Sequence, residues 1–244
     1  MPEILQARIP HDVTTPKSLP GIAPLDPAEW LLVDDAFAAQ MAERTRLIAE
    51  RRGDVVALLP EGRPAADELL SFVLDWLCEH GAGYDVEKNA VVTRPDGARI
   101  PIDRADPLGT LGHLVQEDLC LMERRGAEHV LTGAVLCFPA SWRLSEKVGR
   151  PMIGIHEPVR EYDATLARRV QRLLDGVRTG RPLWRFNVLT YADPALFQPR
   201  SAQAPRRSQD GEGHSYRRSE RQCLLRLPRT GAVAFSIHTY VVRR

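Results

Sequence analysis

The stretch ERQCLLRLPRTGAVAFSIHTYVV, residues 220–242, decides the fold of this protein. Two runs rich in apolar residues, 220–227 and 232–242, flank the segment PRTG at 228–231. Proline and glycine favour a turn, while β-branched and aromatic residues favour strands. The stretch therefore predicts a β-hairpin that closes the chain.

The second strand of this hairpin should present two different faces, because successive side chains of a strand point to opposite sides. Ser236, His238 and Tyr240 share one face, whereas Phe235 and Ile237 share the other with further apolar residues. The polar set either lines a pocket or forms a solvated surface, and the pattern alone allows both.

Working outward from the hairpin, the pattern alternates between short apolar runs and segments with helical periodicity. Neighbouring strands of this kind favour antiparallel pairing, so we expect an α+β fold with helices beside a mainly antiparallel sheet. Residues 1–26 are proline-rich and predict an extended arm, and 27–244 a single domain with a helical N-terminal part. The predicted strands are 55–59, 91–93, 100–102, 130–138, 151–159 and 183–191, and the predicted helices 27–52, 65–80, 106–122 and 161–178.

Composition argues against several classes of protein. The chain has 33 Lys and Arg against 32 Asp and Glu, and this near-neutral balance disfavours nucleic-acid binding. We find no secretory leader, membrane-length apolar run or paired-cysteine pattern, and so expect a cytoplasmic protein without a membrane partner. Neither a nucleophile-elbow motif nor a phosphate-binding glycine loop is present, which removes the commonest hydrolase and nucleotide-binding hypotheses.

Among the seven histidines, His156 has the most distinctive local sequence. It ends an apolar segment and precedes Glu157 and Pro158, which should hold the backbone stiff. A neutral imidazole in that position could be the single axial ligand that a heme iron requires. The alternative is a structural histidine at a strand end, and the residues alone favour that alternative.

Several segments, read together and in order, resemble the heme-dependent oxidative N-demethylase-like family, and the resemblance extends from about residue 25 to the C-terminus. The order of these motifs is more specific than any one of them. They are VQEDL (115–119), CFPASW (137–142), KVGRP (147–151), IHEPV (155–159), DPALF (193–197), SERQ (219–222) and IHTY (237–240).

The resemblance implies a PAS-like domain that binds heme b through His156 and oxidises a small methylated amine, releasing formaldehyde. Molecular oxygen and a separate flavin or iron-sulfur reductase would then be partners, because no reductase-cofactor motif is visible in this chain. Within the matched motifs, Glu220 is our candidate for binding the substrate ammonium, since such a cation needs a carboxylate within ion-pairing reach. Arg221 is a candidate for a heme propionate or for Asp118, and Trp142 for packing over the cofactor edge.

Three positions depart from the family pattern. Val188 stands where the family often has tryptophan, Arg160 where it commonly has proline, and His238 where it often has arginine. These positions could alter the pocket and the substrate. The alternative hypotheses are a non-catalytic heme or gas-sensing domain and a heme-free interaction module of the same fold.

Overall fold

The structure is a computed structural model and describes residues 3–13, 21–87, 90–152, 155, 164–201 and 215–244. The α-helices within these ranges are α1 (Phe37–Glu50), α2 (Arg52–Val55), α3 (Arg63–His80), α4 (Pro107–Leu114) and α5 (Ala164–Gly176). The strands are β1 (Ala23–Pro24), β2 (Val56–Leu58), β3 (Asp85–Glu87), β4 (Val91–Thr93), β5 (Arg99–Pro101), β6 (Asp118–Arg125), β7 (Glu128–Val135), β8 (Leu183–Tyr191), β9 (Tyr216–Arg226) and β10 (Val233–Arg243).

A large antiparallel sheet organises these elements. Its strand order is β1-β8-β9-β10-β6-β7-β2, and a small second sheet has the order β3-β4-β5. The β9–β10 hairpin lies at the centre and pairs over eleven positions, from Val233 opposite Arg226 to Arg243 opposite Tyr216. The predicted hairpin and the α+β fold, with a mainly antiparallel sheet and flanking helices, are confirmed.

The large sheet has two buried faces, which we name by the helices that cover them. The N-helix face packs against α1, α3 and α4 and includes Leu119, Cys223 and Ala234. The α5 face packs against Leu174 of α5 and includes Leu224. Because both faces are covered, side chains on both sides of the central strands are buried.

The residues before and within β6 differ from the sequence prediction. The helix expected over 106–122 ends at Leu114, and a strand begins at Asp118. Leu119 and Leu121 lie in the N-helix core, whereas Cys120 lies in the α5 core. A strand buried on both faces is a continuous apolar run, which periodicity cannot distinguish from a buried helix, and the prediction was wrong for that reason.

The strand expected over 151–159 is also wrong where the structure describes it. Pro151 forms an isolated antiparallel bridge with Val130. Met152 and Ile155 are helical, and the Ile155 amide donates to the Pro151 carbonyl at 2.9 Å. Residues 153–154 and 156–163 lie outside the described residues. His156 and the departure at Arg160 are among them.

The N-terminal arm contacts the sheet in its described parts. The Gln6 side chain donates to the Asp34 carboxylate at 2.9 Å and accepts from the Val241 amide at 2.8 Å. Strand β1 pairs with β8 through Ala23 opposite Trp184. The division between an arm over 1–26 and a domain over 27–244 stays a prediction.

One buried ion pair connects α1 to the start of β6. Arg44 and Asp118 are both fully buried, and Nη1 of Arg44 lies 2.6 Å from Oδ1 of Asp118. The Asp118 carboxylate also accepts from the backbone amides of Cys137 and Phe138, at 2.7 and 2.9 Å. It therefore joins the helical layer, β6 and the end of β7, so that its charge is compensated on every side.

We expect Asp118→Ala to lower the free energy of unfolding by about 3–5 kcal/mol, because Arg44 would be left as an unpaired buried charge. Urea denaturation followed by far-UV circular dichroism measures this loss. The control is Glu87→Ala, which removes one partner of the exposed Glu87–Arg99 pair and should cost less than about 1 kcal/mol. Equal losses in the two variants would contradict the role assigned to Asp118.

Candidate functional site on the α5 face

A strip of polar side chains crosses the α5 face of β8 and β9. Gln222 is two residues from Leu224, which packs against α5, and Glu220 is two residues further along the same strand. In the paired register, Arg185 lies opposite Gln222 and Asn187 lies opposite Glu220. Alternation along both strands therefore places all four polar side chains on one face.

The Glu220 carboxylate lies at the centre of this strip and is 6% exposed. Its Oε2 atom accepts from Asn187 Nδ2 at 2.9 Å and from Gln222 Nε2 at 3.1 Å. Asn187 Oδ1 in turn accepts from the Glu220 backbone amide at 3.1 Å. The other oxygen, Oε1, has Nη2 of Arg218 at 3.6 Å, which is an ion pair without a short hydrogen bond. Glu220 is thus a fixed, buried carboxylate.

Arg185 carries a second charge on the strip. Its Nη1 atom donates to Gln222 Oε1 at 3.0 Å. Its Nε atom is buried and has no hydrogen-bond acceptor among the described residues. Burial lowers the pKa of Arg185 and the Glu220 carboxylate opposes this effect. Gln222 therefore connects a guanidinium to a carboxylate without a direct ion pair between them.

Apolar side chains of the α5 core lie on the same face. Phe235 and Ile237 of β10 belong to this core, and Trp142 and Ile155 pack against it. Ile155 directly precedes His156, and its carbonyl accepts from the buried Lys147 ammonium. The described structure thus brings Trp142 and the residue before His156 to the face that also carries Glu220.

The residue before Trp142 has an unusual backbone. Ser141 has φ +68°, the left-handed region that non-glycine residues rarely adopt. Its amide donates to the Gln198 carbonyl at 3.1 Å, and its hydroxyl is buried without a partner among the described residues. Strain of this kind concentrates at functional sites, and here it lies directly before Trp142, which packs against the α5 core.

Arg221 lies on the opposite face of the sheet from Glu220, because the two are adjacent on β9. It donates to the carbonyls of Trp30 at 3.1 Å and Glu29 at 2.6 Å. Asp118, the alternative partner that the sequence suggested for it, pairs with Arg44 instead. Its role toward a heme propionate stays a prediction, and its neighbours are those of the N-helix face.

His238 is fully buried on the N-helix face between two carboxylates. Its Nδ1 atom lies 2.9 Å from Glu117 Oε1, and its Nε2 atom 3.0 Å from Asp34 Oδ2. Burial opposes the charged ring, but the two carboxylates outweigh burial and raise the pKa of His238 to about 9. Ser236, His238 and Tyr240 are all buried, so a solvated polar face is excluded for them.

Sequence reasoning missed the two charged arrangements described above. Arg185 and Asn187 were visible as the polar side of a strand, and Gln222 as part of a motif, but their alignment required the β8–β9 register. The partners of His238 lie 204 and 121 residues away along the chain. Alternation of polar residues on two neighbouring strands is the signal that could have identified the strip.

The described residues hold no group of three or more His, Cys, Asp or Glu side chains arranged to bind a metal ion. A heme needs one axial ligand and not such a cluster, and His156 lies outside the described residues.

The sequence matches one family model over most of its length. This model, described as haem-dependent oxidative N-demethylase, alpha subunit-like, matches residues 21–243. The chain belongs to this family. Within the described ranges, no helix has the length and apolar character needed to span a membrane.

In this family member, the His238 ion cluster should make stability depend on pH. The pKa is raised from 6.5 to about 9 in the folded protein. The resulting stabilisation is therefore fully present below pH 6.5 and is lost as the pH rises through about 9. Urea denaturation between pH 6 and pH 10 should show a loss of about 3 kcal/mol.

His238→Gln is the comparison for that experiment, because glutamine keeps hydrogen-bonding capacity but does not titrate. We expect its stability to change less over the same pH range. Parallel pH profiles for the two proteins would show that His238 does not titrate as the geometry indicates.

Proposed function

We propose that this protein is a heme-dependent monooxygenase that removes an N-methyl group from a small methylated amine. The observation that carries the proposal is the buried Glu220 carboxylate, held on the same sheet face as Trp142 and the residue before His156. Family membership supports heme dependence and oxidative demethylation at the level of the family description. The substrate, the heme type and the role of each residue are parts of this proposal.

The chemistry of the side chains on the α5 face supports a heme there. A heme requires an apolar environment for the macrocycle and cationic donors for its carboxylates. Trp142, Phe235 and Ile237 supply the apolar surface, and the buried Arg185 Nε supplies an uncommitted donor. His156 would hold the iron of heme b, and Trp142 would pack at the cofactor edge. These assignments are the ones the sequence suggested for His156 and Trp142.

When bound, heme supplies the oxidative chemistry, which uses molecular oxygen and electrons from a separate flavin or iron-sulfur reductase to release the methyl carbon as formaldehyde. The chain itself binds and orients the amine. Glu220 accepts a hydrogen bond from the substrate ammonium, while Asn187 and Gln222 fix the carboxylate direction through Oε2. The surrounding apolar side chains limit water, which strengthens this electrostatic contact.

The first test is the visible absorption spectrum of the purified protein beside His156→Ala. We expect a Soret band in the wild-type protein that weakens or shifts in the variant, because the iron would lose its axial nitrogen. No Soret band after reconstitution with heme would contradict heme binding and favour a heme-free interaction module. Heme binding without formaldehyde release from any methylated amine would favour a non-catalytic heme or gas-sensing domain.

We expect Glu220→Gln to lower kcat/KM for a methylated amine by about 100-fold, because the substrate cation would lose its buried counter-charge. Formaldehyde release with a surrogate reductase measures the effect, and the Soret band should be unchanged. Glu87→Gln, at an exposed carboxylate of β3, is the matched control and should retain wild-type turnover. Wild-type turnover in Glu220→Gln would remove Glu220 from substrate binding.

A further inference from the structure

Arg185 has no anionic partner of its own within the described residues. Glu220 is the acid whose charge acts on Arg185, and the two side chains are joined only by hydrogen bonds through the Gln222 amide. The Nε atom of Arg185 is buried and without an acceptor. A guanidinium in this condition loses hydration without gaining an ion pair, which is costly unless a ligand restores the balance.

The charges around the strip also leave an excess of one positive charge. The strip contains one cation, Arg185, and one acid, Glu220. Arg218, two residues before Glu220 on the same face of β9, adds a second cation. Arg218 donates to the carbonyls of Leu196 and Phe138 and lies 3.6 Å from Glu220. Glu220 therefore opposes the charges of both arginines, and one positive charge remains in excess.

The geometry of Arg185 suits one class of ligand. Its Nη1 atom is fixed by Gln222 Oε1, which orients the planar group, while the buried Nε atom on its other edge has no acceptor among the described residues. A guanidinium edge matches a carboxylate, to which it can donate two parallel hydrogen bonds. Arg185 is partly exposed, so that a ligand can approach it, whereas Arg218 is fully buried.

We propose that Arg185, oriented by Gln222, binds a carboxylate on the α5 face. This inference rests on the proposed function for the source of that carboxylate, which is either a heme propionate or the acid group of a substrate such as an N-methylated amino acid. In the second case Glu220 and Arg185 would take the two ends of one zwitterion. The site is distinct from Arg221, whose side chain lies on the other face.

The experiment compares wild type, Arg185→Met, Arg185→Lys and the control Arg99→Met, which removes an exposed arginine of β5. Heme and heme dimethyl ester are titrated into each protein and followed at the Soret band. N-methylglycine and dimethylamine are titrated into heme-loaded and heme-free protein by calorimetry. Arg185→Lys keeps the charge but loses the planar edge, so it separates charge from geometry.

If the carboxylate is a propionate, Arg185→Met weakens heme binding by about 10- to 100-fold, and the difference disappears with the dimethyl ester. If the carboxylate belongs to the substrate, Arg185→Met binds heme with wild-type affinity. Its affinity for N-methylglycine falls by a similar factor, whereas its affinity for dimethylamine is unchanged. Either result supports the site. The site would be overturned if Arg185→Met bound all four ligands with the same affinities as the wild type and the Arg99→Met control.

Failure of the proposed function has a different signature. Wild-type protein that binds neither heme nor its ester contradicts the heme proposal, and the site is then judged by calorimetry on heme-free protein. Binding of N-methylglycine that depends on Arg185 would still support the carboxylate site. Equal binding of N-methylglycine by the wild type and the Arg185 variants in that calorimetry would overturn the carboxylate site.

Discussion

Alternation along the β9–β10 hairpin is the constraint on which the rest of this structure depends. Neighbouring residues of β9 point to opposite faces, so Glu220 and Arg221 belong to different environments although they are adjacent in the chain. One face holds His238 between two carboxylates, and the other holds the strip around Glu220. A shift of register by one residue would exchange the two sets, and both would lose their partners.

The two polar arrangements have different characters. On the N-helix face, both ring nitrogens of His238 have carboxylate partners, one from the segment before α1 and one from the residue before β6, so the ion cluster holds these layers together. On the α5 face, the strip and Arg218 keep an unmatched positive charge and an unpartnered Arg185 Nε. A buried cation with its own carboxylate partners stabilises a fold, whereas one without an ion pair costs stability and marks a place where a ligand can contribute.

The departure from the family pattern at His238 has a structural explanation in these terms. The position is fully buried and faces two carboxylates, so a cationic side chain is favoured there. Histidine differs in that its charge can be lost at alkaline pH. Because this site lies on the face opposite Glu220, we expect a change at this position to affect the stability of the sheet more directly than the proposed substrate site.

The sequence by itself determined the hairpin over 220–242, the helix over 65–80, the α+β class and the family motifs, because these depend on local periodicity, turn residues and motif order. It could not separate the strand at 118–125 from a helix, since a strand buried on both faces has no polar side. Only the tertiary structure decided which side chains meet. The β8–β9 register aligned Arg185 with Gln222 and Asn187 with Glu220, and the folding of distant segments brought Asp34 and Glu117 to His238. Such contacts depend on strand pairing and layer packing between residues far apart in the chain, which local patterns do not encode.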